Sequence, residues 1–177
     1  MKKYNILILA LLLQILFIGS VQAKCDLGTF RFGTSYNALV SKLNLDEEFM
    51  QDKTKGVSEQ FVSAPGEEVC KNEKALKNSS IHFLFLYDKL VEIKIMTLSE
   101  TPILFAWAES IYGVKENKPN SFYGAQPIAH WLWETSSAVI SYSVESMSSE
   151  VVELIGIQSI NHQKSFARFA IEQEGGK

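Results

Sequence analysis

The clearest pattern of apolar and polar positions lies near the middle of the chain. Two runs of strand-forming residues, Ile81 to Tyr87 and Leu90 to Met96, flank the polar pair Asp88 and Lys89. Within the second run, apolar and charged residues alternate. Because successive side chains of a strand point to opposite faces, this pattern predicts a tight hairpin in an antiparallel sheet that is buried on one face.

Two helices are predicted to cover the buried face of this sheet. The dipeptide Thr101-Pro102 opens the apolar segment Ile103 to Tyr112, which a glycine then ends. Earlier in the chain, Thr34 can cap a shorter helix whose apolar residues recur at helical spacing as far as Leu43. Both helices therefore have an apolar side for the sheet to bury.

Three further strand-like runs complete the predicted sheet: Ala129 to Glu134, Ala138 to Glu145 and Val151 to Gln158. The order of one helix and three strands then occurs twice, over residues 34–96 and 101–158, which indicates two tandem units of similar architecture. We therefore predict an α+β fold, an antiparallel sheet with helices packed on one face, in a single domain over residues 24–177. A short C-terminal helix is expected from Gln163 to Ile171.

The first residues have the three parts of an export signal. A basic start is followed by an apolar run from Ile6 to Ile18 and by the small-residue end Val21-Gln22-Ala23. The apolar run is shorter than the roughly 20 residues of a membrane-spanning helix, so we expect cleavage rather than a retained anchor. Residues 1–23 are thus predicted to be a signal peptide of a periplasmic or secreted protein.

The two cysteines of the chain, Cys25 and Cys70, are expected to pair. Export leads to an oxidising compartment, where an even number of thiols is usually paired, and such a disulfide would add on the order of 4 kcal/mol to stability. The alternative is that Cys25, which follows the signal closely, carries a lipid. Lipidation usually requires a small residue before the cysteine, whereas Lys24 stands there, and it would leave Cys70 without a partner.

Charge narrows the class of partner. The formal net charge is −3, and loss of Lys2 and Lys3 with the signal would change it to −5. Lysine and arginine form no cluster along the chain. A mildly acidic surface without a basic stripe argues against binding to nucleic acid or to an anionic membrane surface.

The sequence offers little catalytic chemistry. The three histidines are spaced unlike those of known zinc or nucleophile motifs, so we predict no metal site, no cofactor and no catalytic residue. His130 and Glu134 would share one face of a strand and could form an acid-base pair of a small hydrolase. The intervening Leu132 favours an ordinary mixed strand face instead.

The aromatic residues Phe122, Tyr123, Trp131 and Trp133 form the most distinctive cluster. Trp131 and Trp133 project from the same side of one strand and could form a platform for a sugar, a peptide or a partner's side chain. The competing interpretation places both rings in the core, where each would bury up to ~250 Å². An exposed ring beside Phe122 or Tyr123 would make this cluster the leading interface.

Three short motifs within this order of elements carry a resemblance. Phe32 to Thr34 leads into the first helix, Tyr87 to Leu90 forms the hairpin, and Tyr112-Gly113 closes the second helix. In these features, over most of residues 28–158, the chain resembles periplasmic beta-lactamase-inhibitor-protein-like modules, including small outer-membrane-assembly lipoproteins. The resemblance implies helices on one face of an antiparallel sheet and a role in binding other proteins, with no catalytic residues. The lipoprotein members carry a lipid on a cysteine that follows a small residue, whereas this chain has Lys24 before Cys25.

We therefore predict an exported, non-catalytic module that binds another protein of the bacterial envelope or the extracellular space, with no membrane anchor once the signal is removed. Two alternatives stay open. One is a small secreted hydrolase that uses His130 and Glu134, and the other is a carrier of a small apolar ligand between helices and sheet.

Overall fold

The computed structural model describes residues 25, 27, 30–44, 58–115, 128–147 and 150–175, and at 128–130, 146 and 147 the backbone alone. The predicted signal peptide at 1–23 lies outside this part of the chain. Within it the fold is α+β, as predicted. Six strands form one antiparallel sheet in the order β1-β2-β3-β6-β5-β4. Their bounds are β1 Glu59–Pro65, β2 Ser79–Leu86, β3 Lys89–Ser99, β4 Ile128–Glu134, β5 Ala138–Met147 and β6 Glu150–Ser159.

Four α-helices accompany the sheet in the described ranges: α1 Tyr36–Leu43, α2 Gly66–Val69, α3 Leu104–Tyr112 and α4 Gln163–Gly175. Short 3-10 turns lie at Lys74–Leu76 and Ile160–His162. The alternation over residues 28–33 of the sequence predicts a short strand, but the described positions 30–33 form none. Gly33 there has a φ of 86° and donates its N–H to the Leu90 carbonyl.

The sheet joins two halves of the chain, each with a helix followed by three strands, and α2 and a 3-10 turn lie between the first two strands of the first half only, within the described residues. Strands β1, β2 and β3 form one antiparallel meander after α1, and β4, β5 and β6 form another after α3. The third strands of the two halves pair with each other, from Glu92 opposite Gln158 to Ser99 opposite Val151. The sheet is therefore continuous across the two halves, and β1 and β4 are its edges in the described chain. The division of the domain into tandem units at residues 34–96 and 101–158 stays a prediction.

The inner face of the sheet, which carries Phe83, Tyr142 and Ile155, packs against α1 and α3. These three side chains are fully buried. Tyr36 of α1 packs its ring edge-on against Phe85, and Phe105 of α3 packs in the same way against Tyr142. Burial of so many large apolar side chains between the two layers is the main stabilising contribution to this fold.

The outer face of the sheet carries the alternate residues and is covered only in part by the helices described. Leu84 and Leu86 of β2, together with Val91, form a second buried cluster there, and Phe166 and Phe169 of α4 pack against it. The prediction of helices on one face thus holds for α1 and α3, whereas α4 lies on the other. Val91 was expected beside Ile93, but an irregularity of register in the β2–β3 pairing turns it outward.

Helix α3 begins later than its sequence signal, because its cap comes from another strand. The expected cap at Thr101 is not used, and the helix starts at Leu104. The carboxylate of Glu153 on β6 instead accepts the N–H groups of Ile103, Leu104 and Phe105 at 2.6, 2.9 and 3.2 Å. Glu153 is fully buried and also accepts the Tyr142 hydroxyl at 2.8 Å. A negative charge at a helix N-terminus satisfies otherwise unpaired donors, so this contact fastens α3 to the sheet.

The predicted disulfide between Cys25 and Cys70 is present, with the two Cα atoms 5.7 Å apart. It ties the start of the described chain to the connection between β1 and β2, and Leu27 and Phe30 beside it are buried in the core. A paired disulfide is typical of an oxidising, non-cytoplasmic compartment. No helix in the described ranges is long and apolar enough to cross a membrane.

Two turns differ in detail from their predictions. The hairpin turn uses Tyr87 and Asp88, both with positive φ, one residue earlier than expected. The dipeptide Pro65-Gly66 predicts a type II turn, but it does not form one, because Gly66 is the first residue of α2. A Cβ at Gly66 would overlap the carbonyl oxygen of Leu76, so close packing rather than backbone conformation requires glycine here.

Candidate functional site

The outer face presents an apolar groove beyond the part that α4 covers. Met96 and Leu98 of β3 are 44 and 54 % exposed, and Val152 of β6, which pairs with Leu98, is partly buried beside them. These residues line a groove of about 690 Å³, which we call the outer groove. Large side chains of this kind are normally scattered singly on a surface, so their adjacency in a groove indicates an interaction site.

Polar groups form the rim of the outer groove. Ser63 and Ser80 lie on one side, and Glu150 lies at the far end near Val152. Glu145 of β5 pairs with Val152, is exposed, and extends the acidic side of the groove. The groove thus has an apolar base, neutral hydroxyls along one edge and carboxylates at one end.

His82 lies at the hydroxyl edge of the groove, between two serines. Its Nδ1 is 2.6 Å from Ser63 Oγ, and its Nε2 is 3.0 Å from Ser80 Oγ. Burial lowers the pKa of His82, and the positive charge of Lys94 lowers it further. A neutral imidazole has one donor and one acceptor nitrogen, so one serine donates its proton to the ring and the other accepts one from it. This arrangement can take up a proton from a hydroxyl, which is the first requirement of nucleophilic catalysis by serine.

The structure separates the predicted aromatic cluster. Trp133 is 4 % exposed, packs against Phe105, and donates its indole N–H to the Gly113 carbonyl at 2.8 Å. It is therefore part of the core. Trp131 is partly exposed, although its ring contacts Phe105 and Tyr142. Phe122 and Tyr123 lie outside the described residues, so binding through this cluster stays a prediction.

The proposed acid-base pair falls on β4, an edge strand. The backbone of His130 pairs with Ser143 and that of Glu134 with Val139. Glu134 is exposed, and the side chain of His130 is not among those that the structure describes. A catalytic role for these two residues also stays a prediction. Within the described ranges, no group of three or more His, Cys, Asp or Glu side chains is arranged to hold a metal ion.

Met96 and Leu98 are the residues that sequence reasoning missed, although a signal for them exists. In the alternation of β3 they share a side with Glu92 and Lys94, the side predicted to be wet. Two large apolar residues on the wet side of a strand depart from the pattern and mark a possible interface. The serines around His82 gave no such signal, because pairing between β1 and β2 brings Ser63 opposite His82.

No protein-family model, curated protein or solved structure matches this chain. The resemblance to beta-lactamase-inhibitor-protein-like modules accordingly stays a prediction.

Proposed function

We propose that this protein is an exported, non-catalytic module of the periplasm or the secreted fraction that binds another protein through the outer groove. The observation that carries the proposal is the adjacency of Met96 and Leu98, each about half exposed, in a concave part of the sheet. Burying two such side chains against a partner would contribute roughly 1.5 to 3 kcal/mol each. The compartment indicated by the disulfide agrees with a partner in the envelope or outside the cell.

The charges around the groove define the partner more closely. Glu150 lines the groove and Glu145 stands beside Val152, while the chain as a whole is acidic. Complementary charge steers association and discriminates between partners. The groove therefore suits a segment of another protein that has apolar side chains followed by lysine or arginine.

The test is selection from a random peptide library displayed on phage, followed by binding measurements on synthetic peptides by fluorescence anisotropy. We expect selected peptides to combine apolar and basic residues, and to lose at least about tenfold in affinity with the double variant Met96→Asp, Leu98→Asp, because two buried apolar contacts are lost. The matched control is Ile171→Asp, since Ile171 is 69 % exposed on α4, away from the groove.

Equal affinity for the wild type and for the folded double variant would overturn the proposal. An equal loss with the Ile171 control would do the same, because the effect would then not belong to the groove. Circular dichroism and the urea unfolding midpoint establish that each variant is folded before binding is compared. Selection of acidic peptides would contradict the assigned chemistry of the partner.

A second candidate function, ester hydrolysis, is favoured by the 2.6 Å contact between Ser63 and His82 at the edge of the groove. Ser63 Oγ would attack the ester carbonyl while His82 takes its proton and passes it to the leaving alkoxide, and water would then release the acyl group. A fluorophosphonate probe should label wild-type protein and Ser80→Ala but not Ser63→Ala. Absence of labelling in the wild type would end this candidate.

A further inference from the structure

A second concavity lies at one end of the sheet, between the sheet and the helices on its inner face. We call it the end cleft. It has a volume of about 570 Å³ and lies where the β4–β5 turn, the last turn of α3 and the 3-10 turn before α4 come together. Volumes of about 300 to 1,000 Å³ are usual for sites that bind small molecules. The end cleft does not overlap the outer groove, so its function is independent of the one proposed above.

The floor of the end cleft is apolar and belongs to the core. Ala138 and Ile140 of β5 and Ile157 of β6 line it, and their exposed fractions are 4, 0 and 2 %. These side chains are held by the inner packing of the sheet, so the floor is fixed in shape before any ligand arrives. Above this floor, the partly exposed Phe32 and Ile111 form an apolar wall, and a preformed wall can accept a hydrocarbon or aromatic body at little cost in protein ordering.

The rim of the end cleft carries hydrogen-bond donors and positive charge. Arg31, Asn161 and His162 line it, and among the described residues no aspartate or glutamate does. The described rim therefore carries positive charge, although the chain as a whole is acidic. Among the described residues, ion pairs join Lys94 to Glu92 and Arg168 to Glu172. Neither pair involves Arg31, so its guanidinium has no carboxylate partner in the described part of the chain.

His162 is held in place at this rim. Its Nδ1 is 2.8 Å from the hydroxyl of Ser159, a residue that is 1 % exposed. When Ser159 donates to Nδ1, the proton of the neutral ring is on Nε2, which can then donate to a ligand. A Cβ on Gly33 would lie 3.3 Å from Nε2, so glycine at this position leaves room for the ring. Burial lowers the pKa of His162, and the positive charge of nearby Lys89 lowers it further.

From this geometry we infer that the end cleft binds a small carboxylate with an apolar body, such as a medium-chain fatty acid. The carboxylate lies against Arg31 and His162, and the apolar body lies against the partly exposed Phe32 and Ile111, above the floor. A planar guanidinium matches a carboxylate with two parallel hydrogen bonds, and the partly exposed Phe32 and Ile111 offer apolar surface that a hydrocarbon would bury. This ligand class refines the earlier alternative of a carrier for a small apolar molecule.

The experiment titrates the full mature protein with sodium decanoate and, as a neutral match of equal chain length, with decanol. Binding is followed by amide shifts in two-dimensional NMR and by calorimetry. We expect decanoate to shift the amides around Ser137, Asn161 and His162 and to bind more tightly than decanol. Arg31→Gln should weaken decanoate about tenfold or more, the usual value of a charge-assisted hydrogen bond, and leave decanol unchanged. Arg168→Gln, an exposed arginine on α4, is the matched control and should change neither.

A second variant tests the location of the site without relying on charge. Ser137 is exposed in the β4–β5 turn and lines the cleft, so Ser137→Trp should fill the mouth and abolish binding of both compounds while the fold is retained. The inference is overturned if decanoate causes no shifts at the cleft at millimolar concentration. It is also overturned if Arg31→Gln and Arg168→Gln weaken decanoate equally, or if the folded Ser137→Trp variant binds as the wild type does.

Discussion

The two faces of this sheet are built from the same strands and differ in what their side chains do. On the inner face, Phe83 and Tyr142 are fully buried under α1 and α3. On the outer face, α4 covers one end, and Met96 and Leu98 remain about half exposed at the other. Because adjacent residues of one strand alternate between the faces, stability and binding can be assigned to different residues of the same element. Substitutions on the inner face should therefore change stability and leave binding intact, and substitutions on the outer face should do the reverse.

The largest expected contrast is between large apolar residues on the two faces. Phe83→Ala should lower the free energy of unfolding by about 4 kcal/mol, because it removes a fully buried ring and leaves a cavity. Met96→Ala should lower it by less than about 1 kcal/mol, because that side chain is 44 % exposed. Urea unfolding of both variants measures the difference. Equal losses would mean that the outer groove is part of the stabilising core.

The second contrast compares two glutamates of the same strand. Glu153→Ala should destabilise the protein by about 3 kcal/mol, because three backbone N–H groups and the Tyr142 hydroxyl lose a buried acceptor. Glu150→Ala, at an exposed residue of the groove, should change stability by less than about 0.5 kcal/mol. Hydrogen exchange gives a second readout, since only the Glu153 variant should lose protection at the start of α3. Protection unchanged there would contradict the capping role.

A smaller effect is expected where α4 covers the outer face. Phe169 is half-buried against the Leu84 cluster, so Phe169→Ala should cost about 1 kcal/mol. The amides of α4 should exchange faster while those of β2 and β3 keep their protection, which native-state hydrogen exchange can measure. If the strands lose protection together with the helix, α4 is an integral part of the cooperative fold rather than a partial cover.

The smallest effect concerns pH and the two histidines whose pKa values are lowered, His82 and His162. At pH below the ordinary value of 6.5, the unfolded chain binds protons at these sites more readily than the native protein does. Stability from this source is therefore complete above pH 6.5 and is lost as pH falls through the lowered native values. The urea midpoint should drop from neutral to mildly acidic pH, and the drop should shrink in the His82→Gln, His162→Gln double variant. If the urea midpoint drops equally in the double variant, the drop is caused by carboxylates and not by these histidines.

Local signals in the sequence predicted the elements of this fold well. The hairpin at Tyr87 and Asp88, the helix that ends before Gly113 and the β-rich runs of the second half each depend on residues close together in the chain. The disulfide was also predicted, because two cysteines in a chain that is expected to be exported leave one pairing. The fold class followed from the order of these elements.

Features that depend on pairing between distant segments were not predicted. The cap of α3 comes from Glu153, about fifty residues along the chain, and no local pattern connects the two. The sequence predicts a helix only as far as Ile171 and a mobile end from Glu172 onward. Glu172 instead lies within α4 and accepts hydrogen bonds from Arg168, Tyr87 and Ser58, which lower its pKa. The outer groove and the end cleft are likewise surfaces shared by several elements, so they exist only once the sheet is assembled.

The pairing of β3 with β6 at the middle of the sheet has a consequence for how the chain reaches this fold. The hairpins β2–β3 and β5–β6 close over short connections, whereas the β3–β6 seam must bring together strands separated by α3, β4 and β5. Contacts between residues far apart in sequence are slow to form. We therefore expect two meanders to arise early and independently, and the docking of one against the other to set the folding rate. Until that step, the unpaired edges of β3 and β6 are the places where one chain could pair wrongly with another.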